Sequence, residues 1–226
     1  MSATSRLLSA SLLATGSTMD TARPSKLRLG PAGRCPGKPT LVIAIADDSG
    51  SVAAPGGADP ISNRYQEMRL AFKAVADACL CRKELAAIVH FDTPHGDVVP
   101  QRLSRRGLRA LDAGLRVPAG GAGISELRPA LTRARALADA RPTHEAVLVI
   151  FSDFELFDDR PGDLADELAS FPGDVHACVL GSRESIQVDG VDEVTTVCYD
   201  DPPGAIARAL LCGLTVHRKG LNRGGS

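Results

Sequence analysis

Leu41-Val42-Ile43-Ala44-Ile45-Ala46-Asp47-Asp48-Ser49-Gly50-Ser51 decides how the rest of the chain is read. A strand with one wet face alternates apolar and polar residues. This run is apolar at every position and rich in β-branched side chains, so it predicts a strand buried on both faces, as in parallel sheets covered by helices. It stops abruptly in two acids, a serine and a glycine, which puts a loop at the carboxyl end of that strand.

Working outward, 85–91 (LAAIVHF) and 146–151 (AVLVIF) are runs of the same kind, and 175–180 and 193–199 are further strands. Residues 97–101 (DVVPQ) predict a short strand whose Pro100 confines it to an edge. Residues 64–80, 104–113, 126–140, 161–170 and 205–217 carry apolar residues at helical spacing. The stretches 47–63 and 118–123 are rich in Gly, Ser, Pro and Asp and predict loops. Strands alternating with helices imply a single α/β domain. The expected architecture is a doubly wound, mostly parallel sheet of about six strands with helices on both faces and one short antiparallel edge strand. Its expected bounds are 38–218, between a flexible basic segment at 1–37 and a flexible tail at 219–226.

Composition removes several function classes. The 226 residues are 44% hydrophobic and 23% charged, near globular averages, so a disordered chain is excluded. The net charge of −1, with no Trp, two Tyr and six Phe, gives neither a basic field nor stacking platforms for nucleic acid. No apolar run is long enough for a membrane span. Charge is uneven: Arg6, Arg23, Lys26, Arg28, Arg34 and Lys38 face only Asp20 within the first 40 residues. Leu7, Leu8, Leu12 and Leu13 make a weak export signal, interrupted by Ser and Thr. Neither Asn63 nor Asn222 opens a glycosylation sequon. The six cysteines show no disulfide framework, so a reducing, cytoplasmic setting is expected. Cys79-Leu80-Cys81 is the only close pair. No second Cys/His pair has ligand spacing, so it reads as two ordinary thiols. Residues 33–38 (GRCPGK) imitate a phosphate loop. They fail as one: Ala32 stands where the first Gly belongs, and Pro39 follows the lysine.

Ligands of open α/β sheets bind at the carboxyl ends of the strands. Asp47 ends the first strand and Ser152-Asp153 ends 146–151, so two acids emerge at one sheet edge. Between them in sequence, 120–125 (GGAGIS) leads into a helix and offers a further hydroxyl. Asp47-Asp48-Ser49-Gly50-Ser51 resembles the D-x-S-G-S motif of von Willebrand factor A (vWA) domains. Residues 125–131 (SELRPAL) resemble that family's T-x-L-x-x-A-L segment with Ser125 at the Thr position, and Phe151-Ser152-Asp153 resembles its later T-D. The resemblance covers about 40–215. It implies a metal-ion-dependent adhesion site (MIDAS) formed by Asp47, Ser49, Ser51, Ser125 and Asp153. The implied ion is Mg²⁺, with Mn²⁺ or Ca²⁺ as alternatives. Such an ion takes oxygen ligands and keeps some waters, so a position stays open for a Glu or Asp of a protein partner.

The resemblance further implies an intracellular adaptor and not an enzyme. Family members of this kind work beside a MoxR-type AAA+ ATPase, a TerY-like tellurite-resistance system or another complex. Two other readings stand beside it. One is a Mg²⁺-dependent hydrolase or phosphotransferase with Asp48 or His95 as its base. The other is a vWA scaffold with a vacant site, making contacts through Arg102, Arg105, Arg106 and Arg109. Asp48 is expected behind the ligands or facing solvent, and Asp59, Pro60, Asn63 and Arg64 at the site's margin. His95 and Asp92 are placed on the same rim. His90 reads as a satisfied core residue, His144 belongs at the opposite edge, and His176 and His217 have no visible partners. Phe154 stands where the family often has Gly. The acids Glu155, Asp158, Asp159, Asp163, Asp166 and Glu167 after it, offset by Arg160, read as a solvated loop and helix start.

Overall fold

A computed structural model describes residues 29–218 apart from 55, 60–62, 92–93, 118–124, 159–160, 185 and 199. The readings of 1–28, Pro60, Asp92, the glycines at 120–123, Asp159, Arg160 and 219–226 therefore lie outside the described residues. The elements are β1 (Thr40–Ala46), α1 (Gly50–Ala53), α2 (Asn63–Ala78), β2 (Leu85–His90), β3 (Val98–Arg102), α3 (Arg105–Leu111), α4 (Arg128–Asp139), β4 (Glu145–Ser152), α5 (Pro161–Ala169), β5 (Gly173–Leu180), β6 (Glu193–Val197) and α6 (Ala205–Thr215). One sheet runs in the order β3-β2-β1-β4-β5-β6. All neighbours are parallel except β2 and β3. The expected fold class holds, with the antiparallel strand at the edge where Pro100 put it.

The apolar run of β1 is explained by its two faces. Val42, Ala44 and Ala46 pack with Met68, Phe72 and Val75 of α2 and Leu210 of α6. Leu41, Ile43 and Ile45 pack with Leu127, Leu131 and Ala134 around α4 and with Leu164 and Leu168 of α5. Side chains alternate across a strand, so a helix layer on each side demands an apolar residue at every position. The short α1 and a 3₁₀ turn at Pro94–Gly96 were not expected. Both are too short to show a periodicity in sequence.

His176 of β5 is buried, and its Nε2 lies 2.8 Å from Thr195 Oγ1 on β6. Its partner was invisible in sequence because register, not spacing, brings the two strands together. Burial holds the proton affinity of His176 below its ordinary 6.5, although Glu193 pulls the other way. Below that ordinary value the unfolded chain takes up a proton that the folded chain refuses, so stability falls as the pH falls. Thermal melts from about pH 8 to pH 5 should show this decline, and His176→Gln should flatten it. An unchanged slope in the variant would assign the loss to another group.

Candidate metal centre at the carboxyl edge of the sheet

β1 and β4 are adjacent and in register, Ala46 opposite Phe151. The next residues of both strands therefore leave the sheet side by side. Asp47 is wholly buried. Its Oδ1 accepts the Ser49 N–H at 2.8 Å, an Asx turn that folds the loop back over the strand end, and its Oδ2 accepts the Ser152 hydroxyl at 2.6 Å. Burial raises its pKa, against the bonds from Ser152 and Ser49, and the neighbouring charge of Asp153 raises it further. Ser49 heads α1, where its carbonyl accepts the Val52 and Ala53 N–H groups, and its Oγ lies 3.0 Å from Ser51 Oγ.

Ser125 is buried just before α4, and its carbonyl accepts the Phe157 N–H at 2.9 Å. Asp158 accepts the N–H groups of Leu127 at 3.0 Å and Arg128 at 3.1 Å. These bonds tie the loop that carries Asp153 to the segment that carries Ser125. Asp158 is thereby a helix-capping residue rather than part of a merely solvated acidic stretch. Asp47, Ser49 and Ser51 are joined directly, Asp153 lies within electrostatic reach of Asp47, and Ser125 belongs to the adjoining loop. His95 is exposed on the 3₁₀ turn.

The donor set fits a hard divalent cation. It is made only of carboxylate and hydroxyl oxygens. Asp153 lies within electrostatic reach of Asp47, and among the described residues neither has a cationic side chain paired to it. Two acids within reach of each other, one fully buried, repel, and a divalent ion at the edge would remove that cost.

Behind the loop lies a buried network whose pairings the sequence did not show, although Asp48 behind the ligands and His90 in the core were among its expectations. Asp48 turns inward. Its Oδ1 accepts from Arg64 Nη2 at 2.6 Å and from the Tyr65 hydroxyl at 2.5 Å, and its Oδ2 lies 2.6 Å from His90 Nδ1. Arg64 also donates from Nη1 to Asp59 at 2.6 Å and from Nη2 to the Asp47 carbonyl at 2.9 Å. His90 Nε2 meets the Gly114 carbonyl at 3.0 Å, so His90 is the satisfied core residue expected. Asp59 and Arg64, read as margin residues, are instead core ions holding the ligand loop from beneath. One signal was available: Arg64, Met68, Phe72 and Val75 share one stripe of α2, and a charge on an apolar stripe needs a buried partner. Glu67, also buried, accepts the Gly204 and Ala207 N–H groups at the start of α6.

Phe154 has φ +59°, a left-handed conformation that costs a residue with a Cβ about 1–2 kcal/mol. This is the physical reason a glycine suits that position. Its ring packs against the α4–α5 core, beside a groove of about 380 Å³ lined by Leu156, Leu164, Leu168 and Ile186.

No family model matches the chain, and no curated protein matches it by sequence. Solved structures do. A von Willebrand factor type A protein from Catenulispora acidiphila superposes with a TM-score of 0.57 at 14% identity, over 80% of this chain and 43% of that one. The fold is the vWA fold. Proximal thread matrix protein 1 from the mussel byssus, with a zinc-occupied MIDAS motif, superposes at 0.53 with 17% identity over 80% and 47%. Manganese-loaded TRAP protein of Plasmodium vivax superposes at 0.51 with 11% identity over 78% and 73%. The chain spans less than half the length of the first two of these vWA-fold proteins. No helix among the described residues is long and apolar enough to cross a membrane.

Proposed function

We propose that this vWA domain is a metal-dependent protein-binding module. Asp47, Ser49, Ser51, Ser125 and Asp153 would hold one Mg²⁺, directly or through water. The ion would supply a charged, oxygen-seeking contact for a Glu or Asp of a protein partner. The single observation that carries this reading is the wholly buried Asp47 carboxylate at the strand end, bonded by the Ser49 N–H and the Ser152 hydroxyl, within electrostatic reach of Asp153 and with no cationic side chain paired to it among the described residues. Two carboxylates leave the loaded site near neutral, so an incoming acid meets no net repulsion. Phe157 is 71% exposed on the loop whose amide binds Ser125, an apolar contact beside the ion for a protein surface. The manganese of the TRAP protein and the zinc of the byssus protein are consistent with a divalent ion on this fold.

The hydrolase alternative needed a base beside the metal. Asp48 is turned away from the ligand loop onto Arg64, Tyr65 and His90, which leaves exposed His95 as the base that reading would need and favours binding over catalysis. The partner class we favour is a subunit of a cytoplasmic complex, an AAA+ ATPase among them, for which this chain acts as adaptor. The experiment is Mn²⁺ titration by electron paramagnetic resonance, then partner capture in Mg²⁺ and in EDTA. One bound Mn²⁺, displaced by Mg²⁺, and capture lost in EDTA are expected. Capture indifferent to EDTA would defeat the metal bridge.

A further inference from the structure

α2 ends at Ala78, and the chain then turns sharply through Cys79, Leu80, Cys81 and Arg82 to Glu84 at the foot of β2. The turn needs a left-handed residue, Arg82 at φ +53°, and it throws Leu80 into solvent, 91% exposed. Its effect is to aim both thiols to one side. There they meet a third. Cys35, 44 residues earlier, comes from a segment that packs on the domain through buried Ala32. Cys35 Sγ lies 3.8 Å from Cys79 Sγ, which lies 3.4 Å from Cys81 Sγ. With a Glu84 carboxylate oxygen, all four atoms fall within 4.8 Å of one another.

The two sulfur–sulfur separations lie near those of one coordination geometry. A tetrahedral zinc with bonds of about 2.3 Å to sulfur places its ligand atoms about 3.8 Å apart. Arg218 is buried and clamps both oxygens of Glu84, with Nη2 at 2.9 Å from each and Nε at 3.1 Å from Oε1. The same Nη2 lies 4.0 Å from Cys35 Sγ, and Nη1 donates to the Ala32 carbonyl at 2.7 Å. Three thiolates and a carboxylate outweigh a divalent ion by two charges, and Arg218 removes one of them.

We propose that Cys35, Cys79, Cys81 and Glu84 form a second metal centre, a closed tetrahedral site for Zn²⁺ that staples residues 29–37 to the turn between α2 and β2. It sits at the amino edge of the sheet, where β1 and β2 begin, opposite Asp47. Soft thiolates select Zn²⁺, whereas the oxygen set at Asp47 selects a hard ion, so the two centres do not compete. With all four positions taken by protein, the site is structural and holds no reacting water. Cys79-Leu80-Cys81 read as ordinary thiols in sequence because no second Cys/His pair has ligand spacing; the third thiol, Cys35, stands alone 44 residues earlier.

The test is cobalt titration of the reduced, metal-free 226-residue chain. One equivalent should give intense tetrahedral d–d bands and thiolate-to-cobalt charge transfer, both bleached by Zn²⁺ and untouched by excess Mg²⁺. Cys35→Ser should lose one thiolate's share of the charge transfer and bind cobalt at least about tenfold more weakly. Asp47→Asn and Cys198→Ser should keep the full spectrum, which separates this centre from the one at the carboxyl edge. Should Cys35→Ser fail to fold, release of one zinc from the loaded wild type on blocking its thiols reports the same site. Wild type showing only weak octahedral bands, or Cys35→Ser showing an unaltered spectrum, overturns the proposal.

Discussion

Asp47→Asn is expected to remove divalent-ion binding at the carboxyl edge while leaving the fold intact. Ligand charge sets the affinity of hard-ion sites over orders of magnitude, so losing one of two carboxylates should weaken Mn²⁺ or Mg²⁺ binding at least about a hundredfold. The fold should survive because the amide fits the same bonds. Its oxygen can accept the Ser49 N–H, and its NH₂ can donate to Ser152 Oγ once that hydroxyl rotates. Stability should therefore change by no more than about 1 kcal/mol. Asp47→Ala is a poorer probe. It leaves the Ser49 N–H without its acceptor in a buried loop, at a cost of about 1–3 kcal/mol. The readout is Mn²⁺ titration beside a thermal melt. An Asn variant that binds Mn²⁺ as tightly as wild type would remove Asp47 from the metal centre.

Arg64→Met should be the most damaging single change beneath the site. Arg64 is fully buried, and its guanidinium answers Asp48, Asp59 and the Asp47 carbonyl together. Removing one member of a buried ion network strands the others, at a cost of about 3–5 kcal/mol. That is a large part of the 5–15 kcal/mol, roughly, by which a domain is stable. Met keeps the length and apolar stem, so the loss isolates the charge rather than a cavity. Arg64→Lys should fall between, because a single ammonium cannot span three acceptors. Urea denaturation measures both. Ion affinity at the carboxyl edge should drop as well, since Arg64 holds the main chain at Asp47. A Met variant within about 1 kcal/mol of wild type would show the network to be expendable.

The strands and their order of burial were legible because both faces of a covered parallel sheet must be apolar, and this shows as an unbroken run at 41–46. The edge strand was legible from Pro100, which cannot donate in mid-sheet. Asp47 and Asp153 could be read as ligand-like because each stands at the end of such a run, and strand ends in this fold class share an edge; Ser49, Ser51 and Ser125 came only from the resemblance to the vWA motifs. The lengths of α1 and the 3₁₀ turn could not, since one turn of helix has no period.

What the amino-acid order determined by itself is therefore local: which segments are strands or helices, which faces are apolar, and which polar side chains stand at strand ends. Tertiary structure alone decided which distant groups meet. It turned Asp48 inward onto Arg64, Tyr65 and His90, and set His176 against Thr195. It also carried Cys35 to Cys79 and Cys81, with Arg218 closing over Glu84. The physical reason is that hydrophobic periodicity is a property of neighbours along the chain, whereas a hydrogen bond or a coordination shell depends only on distance in space, which packing sets.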